Sequence, residues 1–162
     1  MNFPLVVSAC MMGIRCRYDG TVKTNERLVR FCREHAVPLV PLCPEQLGGL
    51  PTPRPAACFS GGDGSAVLRG NARLSIPSGG DVSDAFRLGA QQALHVAQSV
   101  GASGAILKEK SPSCGVHLIY CSDTLVAGCG VTTALFKENG LSIWTADEFI
   151  AAGSQPAGAE NP

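Results

Sequence analysis

Within its first forty-odd residues the chain reads strand, helix, strand, and no other feature limits its fold as strongly. Residues 3–8 are apolar apart from the closing Ser8, β-branched at Val6 and Val7, and end at a loop carrying Cys10, as a short buried strand does. A helical pattern starts at Thr24 or Asn25, either of which suits an N-cap, and continues to His35 with Leu28, Val29 and Cys32 on one face. Residues 37–42 supply a second strand. Two strands joined by a crossover helix pair in parallel, because a tight hairpin turn is not available to them. The expected class is α/β: an open, mainly parallel, Rossmann-like sheet with flanking helices.

The later segments extend this alternation. A long helix is expected over residues 82–99, capped by Asp81 and stopped at Gly101. Its stripe of Val82, Phe86, Gly89, Ala93, Ala97 and Val100 is dominated by small residues and should pack closely on a sheet. Residues 104–108 read as the third strand and residues 141–144 as the last. Between them, residues 116–120 read as extended, and a helix runs from residue 128 to Asn139, closed by Gly140. Thr145 and Glu148 match a capping box for a short final helix. The stretch 51–80 is rich in proline and glycine, and its segments 66–69 and 72–76 have the spacing of a β-hairpin. Residues 1–150 are expected to form a single domain with a real core, and residues 151–162 a disordered tail with nothing to bury.

Thirteen basic residues balance thirteen acidic ones, so no net field draws a polyanion to this surface. The expected partner is a small molecule rather than a polynucleotide. The N-terminus lacks the basic start and long apolar stretch of a signal peptide, and no run approaches the roughly 18 apolar residues of a membrane span. These features predict a soluble, cytoplasmic protein with no membrane partner. Eight cysteines in 162 residues fall short of a disulfide scaffold, which carries more than about 8–10%. The absence of a Cys-x-x-Cys pair argues against a zinc ribbon or a thioredoxin-like couple.

Three of the cysteines stand just past expected strands: Cys10 in Ser8-Ala-Cys-Met-Met-Gly13, Cys43 in Cys43-Pro-Glu-Gln-Leu-Gly-Gly-Leu-Pro-Thr-Pro-Arg54, and Cys114 in Ser111-Pro-Ser-Cys-Gly115. Ligands of open parallel sheets bind outside the carboxyl ends of the strands, so the three can meet there. Pro44 pushes Cys43 out of the helical region and fixes its own φ, holding the thiol near the Glu45 carboxylate. The loop, with Pro41, Pro51, Pro53 and Gly48-Gly49 around it, is not expected to continue as regular structure. Three thiolates from separate loops can hold zinc with one position open, or an iron–sulfur cluster with one iron lacking a protein ligand. Spacing alone does not choose between them. A catalytic zinc more often recruits histidine, and of His35, His95 and His117 only the last lies near a cysteine loop, which tilts the choice toward a cluster.

These loops, together with Cys16-Arg-Tyr-Asp-Gly20, Asp81-Val-Ser, Phe86 and Gly89-Ala90, resemble the DUF523 family, which includes the TudS-type thiouracil desulfidases. The likeness spans residues 5–145 in consistent order. It implies a [4Fe–4S] enzyme whose fourth iron takes sulfur from a thiocarbonyl carbon and leaves a carbonyl, with no net redox change. Carried onto this chain, the cluster ligands are Cys10, Cys43 and Cys114, and the proton-transfer residues are Glu45 and Ser111. The implied substrate is a thiolated pyrimidine, a free base or nucleoside, since relatives acting on thiolated tRNA carry an additional domain.

Other polar residues keep plainer readings. Cys16 is the rival ligand and is assigned to the surroundings of the cluster instead. Cys32, Cys58, Cys121 and Cys129 are read as packing residues. Arg17, Asp19 and Arg54 either position substrate or fold their loops. Two competing functions stand beside the desulfidase: a non-catalytic module that binds a metal or cluster, which would need no Glu45, and a zinc hydrolase.

Overall fold

The computed structural model describes residues 3–153. In chain order its elements are β1 (Leu5–Ser8), α1 (Glu26–Glu34), β2 (Leu39–Leu42), α2 (Pro44–Leu47), β3 (Cys58–Ser60), α3 (Gly64–Leu68), β4 (Arg73–Ser75), α4 (Ser83–Ser99), β5 (Gly104–Ile106), β6 (Leu118–Cys121), β7 (Thr124–Ala127), α5 (Val131–Glu138), β8 (Ser142–Trp144) and α6 (Ala146–Ala151). The expected open parallel sheet is present in the order β2-β1-β5-β8, with Val6 opposite Val40 and Ala105, and Ala105 opposite Ile143. Val6 and Val7 are fully buried, as expected of a parallel strand covered on both faces. Successive residues part to opposite faces: Val6, Ala105 and Leu107 pack with Ala93, Ala97 and Phe136, while Leu5, Val7 and Ile106 pack with Leu28, Cys32 and Phe149.

The helices begin where their caps put them. The Asn25 side chain accepts from Leu28 N at 3.0 Å at the start of α1. Thr145 and Glu148 form the expected capping box on α6. Helix α4 starts at Ser83, with Val82 in the cap position and Asp81 accepting from Ser83 N at 2.9 Å. Its buried face is Ser83, Phe86, Gly89, Ala90, Ala93 and Ala97, so the small-residue stripe does pack inward. Val100 departs from the expectation: it lies past the last turn and is 40% exposed.

Residues 51–80 and 116–127 build a second, mixed sheet in the order β4-β3-β6-β7. The hairpin expected over residues 66–69 and 72–76 is not formed. Residues 66–68 belong instead to α3, because Asp63 caps it by accepting from Ala66 N at 3.2 Å, which outweighs the β preference of Val67. Strand β4 finds its antiparallel partner in β3, pairing Leu74 with Phe59. A hairpin forms later, between β6 and β7, across Ser122 at φ 53°. Phe59, Leu74, Phe86, Ile119 and Val131 share the core that joins this sheet to α4 and α5. Burying side chains of this size contributes about 1.5–3 kcal/mol each.

The segment after Cys43 is also more regular than expected. Pro44 takes the first position of the one-turn helix α2, where its missing N–H costs nothing and its fixed φ suits the turn. Gly48, at the end of α2, and Gly89, in the middle of α4, bring the two backbones together so closely that a Cβ on either would collide with main-chain atoms of the other element. The expected boundary at residue 151 falls at the end of α6, and residues 154–162 of the expected tail lie outside the described residues. No helix among the described residues is long and apolar enough to cross a membrane.

Candidate active site

Strand β1 is the point at which chain order reverses, with β2 on one side and β5 on the other, and a crevice opens beyond the carboxyl ends of these strands. Three loops close on it. After β1, a single 3-10 turn over Ala9–Met12 presents Cys10, and Gly13 ends the turn at φ 90°. After β2, Cys43 sits in extended conformation just ahead of α2. After β5, the turn 111–115 presents Cys114, whose N–H donates to Ser111 Oγ at 3.1 Å and whose carbonyl accepts from Thr133 Oγ1 at 2.9 Å. That last loop is anchored by Glu109, which accepts from the N–H groups of Val116 (2.8 Å), Leu118 (2.9 Å), His117 (3.0 Å) and Lys110 (3.3 Å).

The crevice holds a cavity of about 530 Å³ to which Cys10, Cys43 and Cys114 all contribute. Glu45 is fixed over it from two directions. Arg54 Nε donates to Glu45 Oε2 at 2.6 Å, and Ser113 Oγ donates to Glu45 Oε1 at 3.1 Å. Arg54 also donates to the carbonyls of Cys16 (2.8 Å) and Pro51 (3.1 Å), so one guanidinium ties the Cys16 loop to the Glu45 loop. Ser111 Oγ lies 3.2 Å from Ser113 Oγ and accepts from Ser113 N at 3.3 Å. Ser111 therefore shapes the turn, while the buried Ser113 is the hydroxyl in contact with Glu45.

Sulfur electrostatics differ among the three loops. Hydrogen bonding from the Cys16 thiol holds the Cys43 thiol down to about 6 against the opposing effect of burial, helped by the Gln46 N–H and Arg54. The same Cys16 thiol lowers Cys10, with Lys108 assisting, and Cys16 itself is raised by donating to both. Burial pushes Cys114 up to about 12, with the charges of Cys43 and Cys10 adding to the effect. Cys114 thus feels the charge of Cys43 and Cys10, and Cys10 that of Cys43, and a metal centre bound to all three would relieve the repulsion. Lys108 stands beside them, lowered by burial and by Lys23 and Arg17, and raised in turn by Cys10 and Cys114.

Three cysteine sulfurs on one cavity are soft donors, a chemistry that suits iron–sulfur or zinc. Among the described residues no three His, Cys, Asp or Glu groups stand close enough to share one ion. In a [4Fe–4S] centre each cysteine binds a different iron, so the three sulfurs need not crowd round a single point. The residues present fit such a cluster.

The family described as 2-thiouracil desulfurase matches residues 5–148 of this sequence. The chain belongs to the 2-thiouracil desulfurase family. Among curated proteins it is similar to the uncharacterized protein YbbK of Bacillus subtilis (strain 168), 41% identical over 147 residues, covering 89% of this chain and 96% of that protein. Among solved structures it is similar to the [4Fe-4S]-dependent thiouracil desulfidase TudS (DUF523Vcz), with a TM-score of 0.78, 36% identity, and coverage of 92% of this chain and 94% of that one. The fold and resemblance expected from the sequence agree with these likenesses.

Within this desulfurase-family chain the structure brings Cys10, Cys43, Cys114, Glu45 and Ser111 to one cavity. Arg17 also lines it, and pairs with Asp19 at 3.3 Å, while Asp19 accepts from Thr21 N and Thr21 Oγ1 and so folds its own turn. His117 points to Glu148 at 2.5 Å rather than into the cavity. Cys32 is core, as expected. Cys58, expected as a packing residue, lines the cavity from the second sheet, alongside Tyr120, Ser122 and Asp123. Sequence reasoning passed over Ser113 and Lys108. Ser113 stands inside the quoted Ser-Pro-Ser-Cys motif, but only the turn geometry shows which serine reaches Glu45.

Proposed function

We propose that this chain replaces the sulfur of a thiolated pyrimidine by oxygen, without net redox change, using a [4Fe–4S] cluster held by Cys10, Cys43 and Cys114. The observation that carries the reading is the convergence of three cysteine loops and an anchored Glu45 on one cavity, in a chain of the 2-thiouracil desulfurase family. When bound, the cluster supplies an iron with one position free of protein ligands, a soft acceptor for leaving sulfide.

The protein's own groups do the rest. Water must add to the thiocarbonyl carbon and lose its protons as sulfide departs, so that thiocarbonyl and water become carbonyl and hydrogen sulfide. Glu45, which lines the cavity, takes the first proton at a carboxylate oxygen, while Arg54 donates to Oε2 and holds the group in place. Ser113, braced by Ser111, donates to Glu45 and keeps its rotamer fixed. Lys108 and Arg17 place positive charge where an anionic centre gathers. A cavity of about 530 Å³ is of ordinary size for a small-molecule ligand. The balance of thirteen basic and thirteen acidic residues favours a small molecule over a polynucleotide, and all eight cysteines are free thiols, consistent with work in a reducing cytoplasm.

The test is to mix anaerobic cluster-loaded protein with 2- and 4-thiouracil and follow the thiocarbonyl absorbance. Uracil and sulfide are expected to appear without added electron donor or acceptor, and cluster-free protein should be inert. Equal rates with and without the cluster, or a strict need for a reductant, would overturn the reading. Iron and sulfide analysis separates it from a zinc hydrolase.

A further inference from the structure

A fourth thiol lies at the floor of the same cavity. Cys16 is 2% exposed and lines the cavity, and its thiol interacts electrostatically with those of Cys10 and Cys43. Its carbonyl accepts from Cys43 Sγ at 3.7 Å and from Arg54 Nη2 at 2.8 Å. The Cys43 sulfur is therefore in direct contact with Cys16, at its carbonyl. The proposed ligand set and proton transfer leave Cys16 without a part.

We propose that Cys16 is the resolving thiol for Cys43, so that the cluster-free chain reacts with a low-molecular-weight disulfide to form a Cys16–Cys43 disulfide. Cys43 is half-buried and borders the cavity, where a small disulfide can reach it; Cys16 sits beneath, out of reach of solvent. The Cys43 sulfur attacks the incoming RS–SR, making a Cys43–SR bond and expelling RS⁻. The Cys16 sulfur then attacks the Cys43 sulfur, breaking the Cys43–SR bond and expelling the second RS⁻. Two protein thiols are oxidised by two electrons, one RSSR is reduced to two RSH, and the thiol protons leave on those products. The bond brings the two sulfurs to about 2.05 Å.

The consequence rests on the ligand set proposed above. A Cys16–Cys43 bond removes Cys43 from that set, so the oxidised chain cannot load a cluster until a dithiol reduces it. It also keeps the Cys43 sulfur from passing to sulfinic acid, which is not readily reversed.

The experiment exposes full-length cluster-free protein to oxidised glutathione without air, quenches with acid, alkylates, and maps the peptides. The native chain is expected to be lighter by two hydrogens, with Cys16 and Cys43 joined and no glutathione retained. Cys16→Ala should instead keep glutathione on Cys43. Dithiothreitol should restore iron and sulfide uptake to the oxidised native chain, read from the cluster absorbance. A lasting glutathione adduct on Cys43 of the native chain, or a disulfide joining Cys10 to either residue, would overturn the proposal. The native map needs no variant to fold. It is also independent of turnover: a chain inert toward thiouracil can still form the disulfide, and an active one can fail to.

Discussion

Glu45→Gln separates chemistry from structure in this site. The Glu45–Arg54 pair is nearly buried, with the arginine side chain 5% and the glutamate 12% exposed at 2.6 Å. Removing one partner of a buried pair outright costs about 3–5 kcal/mol. Glutamine keeps an oxygen that can accept from Arg54 Nε and an amide that can donate to Ser113, so the loss is confined to the charge. A hydrogen bond to a charged group is worth about 1.5–3 kcal/mol and a neutral one about 1, which puts the destabilisation at about 0.5–2 kcal/mol. At this chain length each kcal/mol moves the midpoint by roughly 2–4 °C, so thermal unfolding should fall by about 1–8 °C while cluster content stays normal. Turnover should fall far more, by about 10²–10⁴-fold, because glutamine cannot accept the proton. Arg54→Met serves as the comparison. It should cost more stability, since it also abandons the carbonyls of Cys16 and Pro51, yet it retains the carboxylate. Native-like turnover in a cluster-replete Glu45→Gln protein would refute the assignment. A smaller loss of turnover in Glu45→Gln than in Arg54→Met would assign the pair to loop folding.

Single replacement of Cys10, Cys43 or Cys114 by serine should deplete iron and sulfide and bleach the brown colour of anaerobically loaded protein, whereas Cys32→Ser, in the core beside Leu28, should keep both; a full cluster in any of the first three removes that residue from the ligand set. In cluster-free protein, alkylation by iodoacetamide should be fastest at Cys43, with a rate that climbs through about pH 6 and levels off once the thiolate dominates. Cys114, held up to about 12 by burial, should label only after unfolding, and early labelling there would contradict its placement. Burial raises the Glu109 carboxyl, but the N–H groups of Leu118, His117, Val116 and Lys110 outweigh it and hold it below its ordinary 4.5. The stability this provides is complete above pH 4.5 and disappears as pH falls through the lower folded value, so Glu109→Gln should lose stability at neutral pH and show a flatter acid limb. Identical acid-unfolding curves would show that the carboxylate does not hold the Cys114 loop.

Where local chemistry decides a feature, the sequence announced it. The β1 and β2 strands end at the cysteine loops as expected because apolar runs stop where proline, glycine and polar residues begin. The Asn25 cap and the Thr145–Glu148 box each depend on residues within one turn of each other. What escaped depends on distant pairing. Strand β3 is three residues long and gains its place from β4 and β6, which lie beyond α3 and α4. Arg54 reads as a loop cation until the fold brings the Cys16 carbonyl beneath it. Gly48 reads as a flexible turn and Gly89 as one small residue in a stripe; their shared function, letting α2 rest on α4 backbone to backbone, exists only once the two elements meet. Ser111 and Ser113 are equivalent on paper, and the turn alone decides which of them faces Glu45.

The cavity has two owners. On the proposed ligand set, every cluster ligand hangs from the all-parallel sheet, whereas Cys58, Tyr120, Ser122 and Asp123 reach the same space from the mixed sheet and its hairpin. On that proposal, retention of a cluster and choice of what enters beside it fall to separate pieces of architecture. Residues 122 and 123 at the tip of that hairpin can be redrawn without touching the Leu118 N–H through which Glu109 holds the Cys114 loop, and Tyr120 is 43% exposed. Divergence in substrate among chains of this build should accordingly be written in that hairpin, while the parallel half stays fixed.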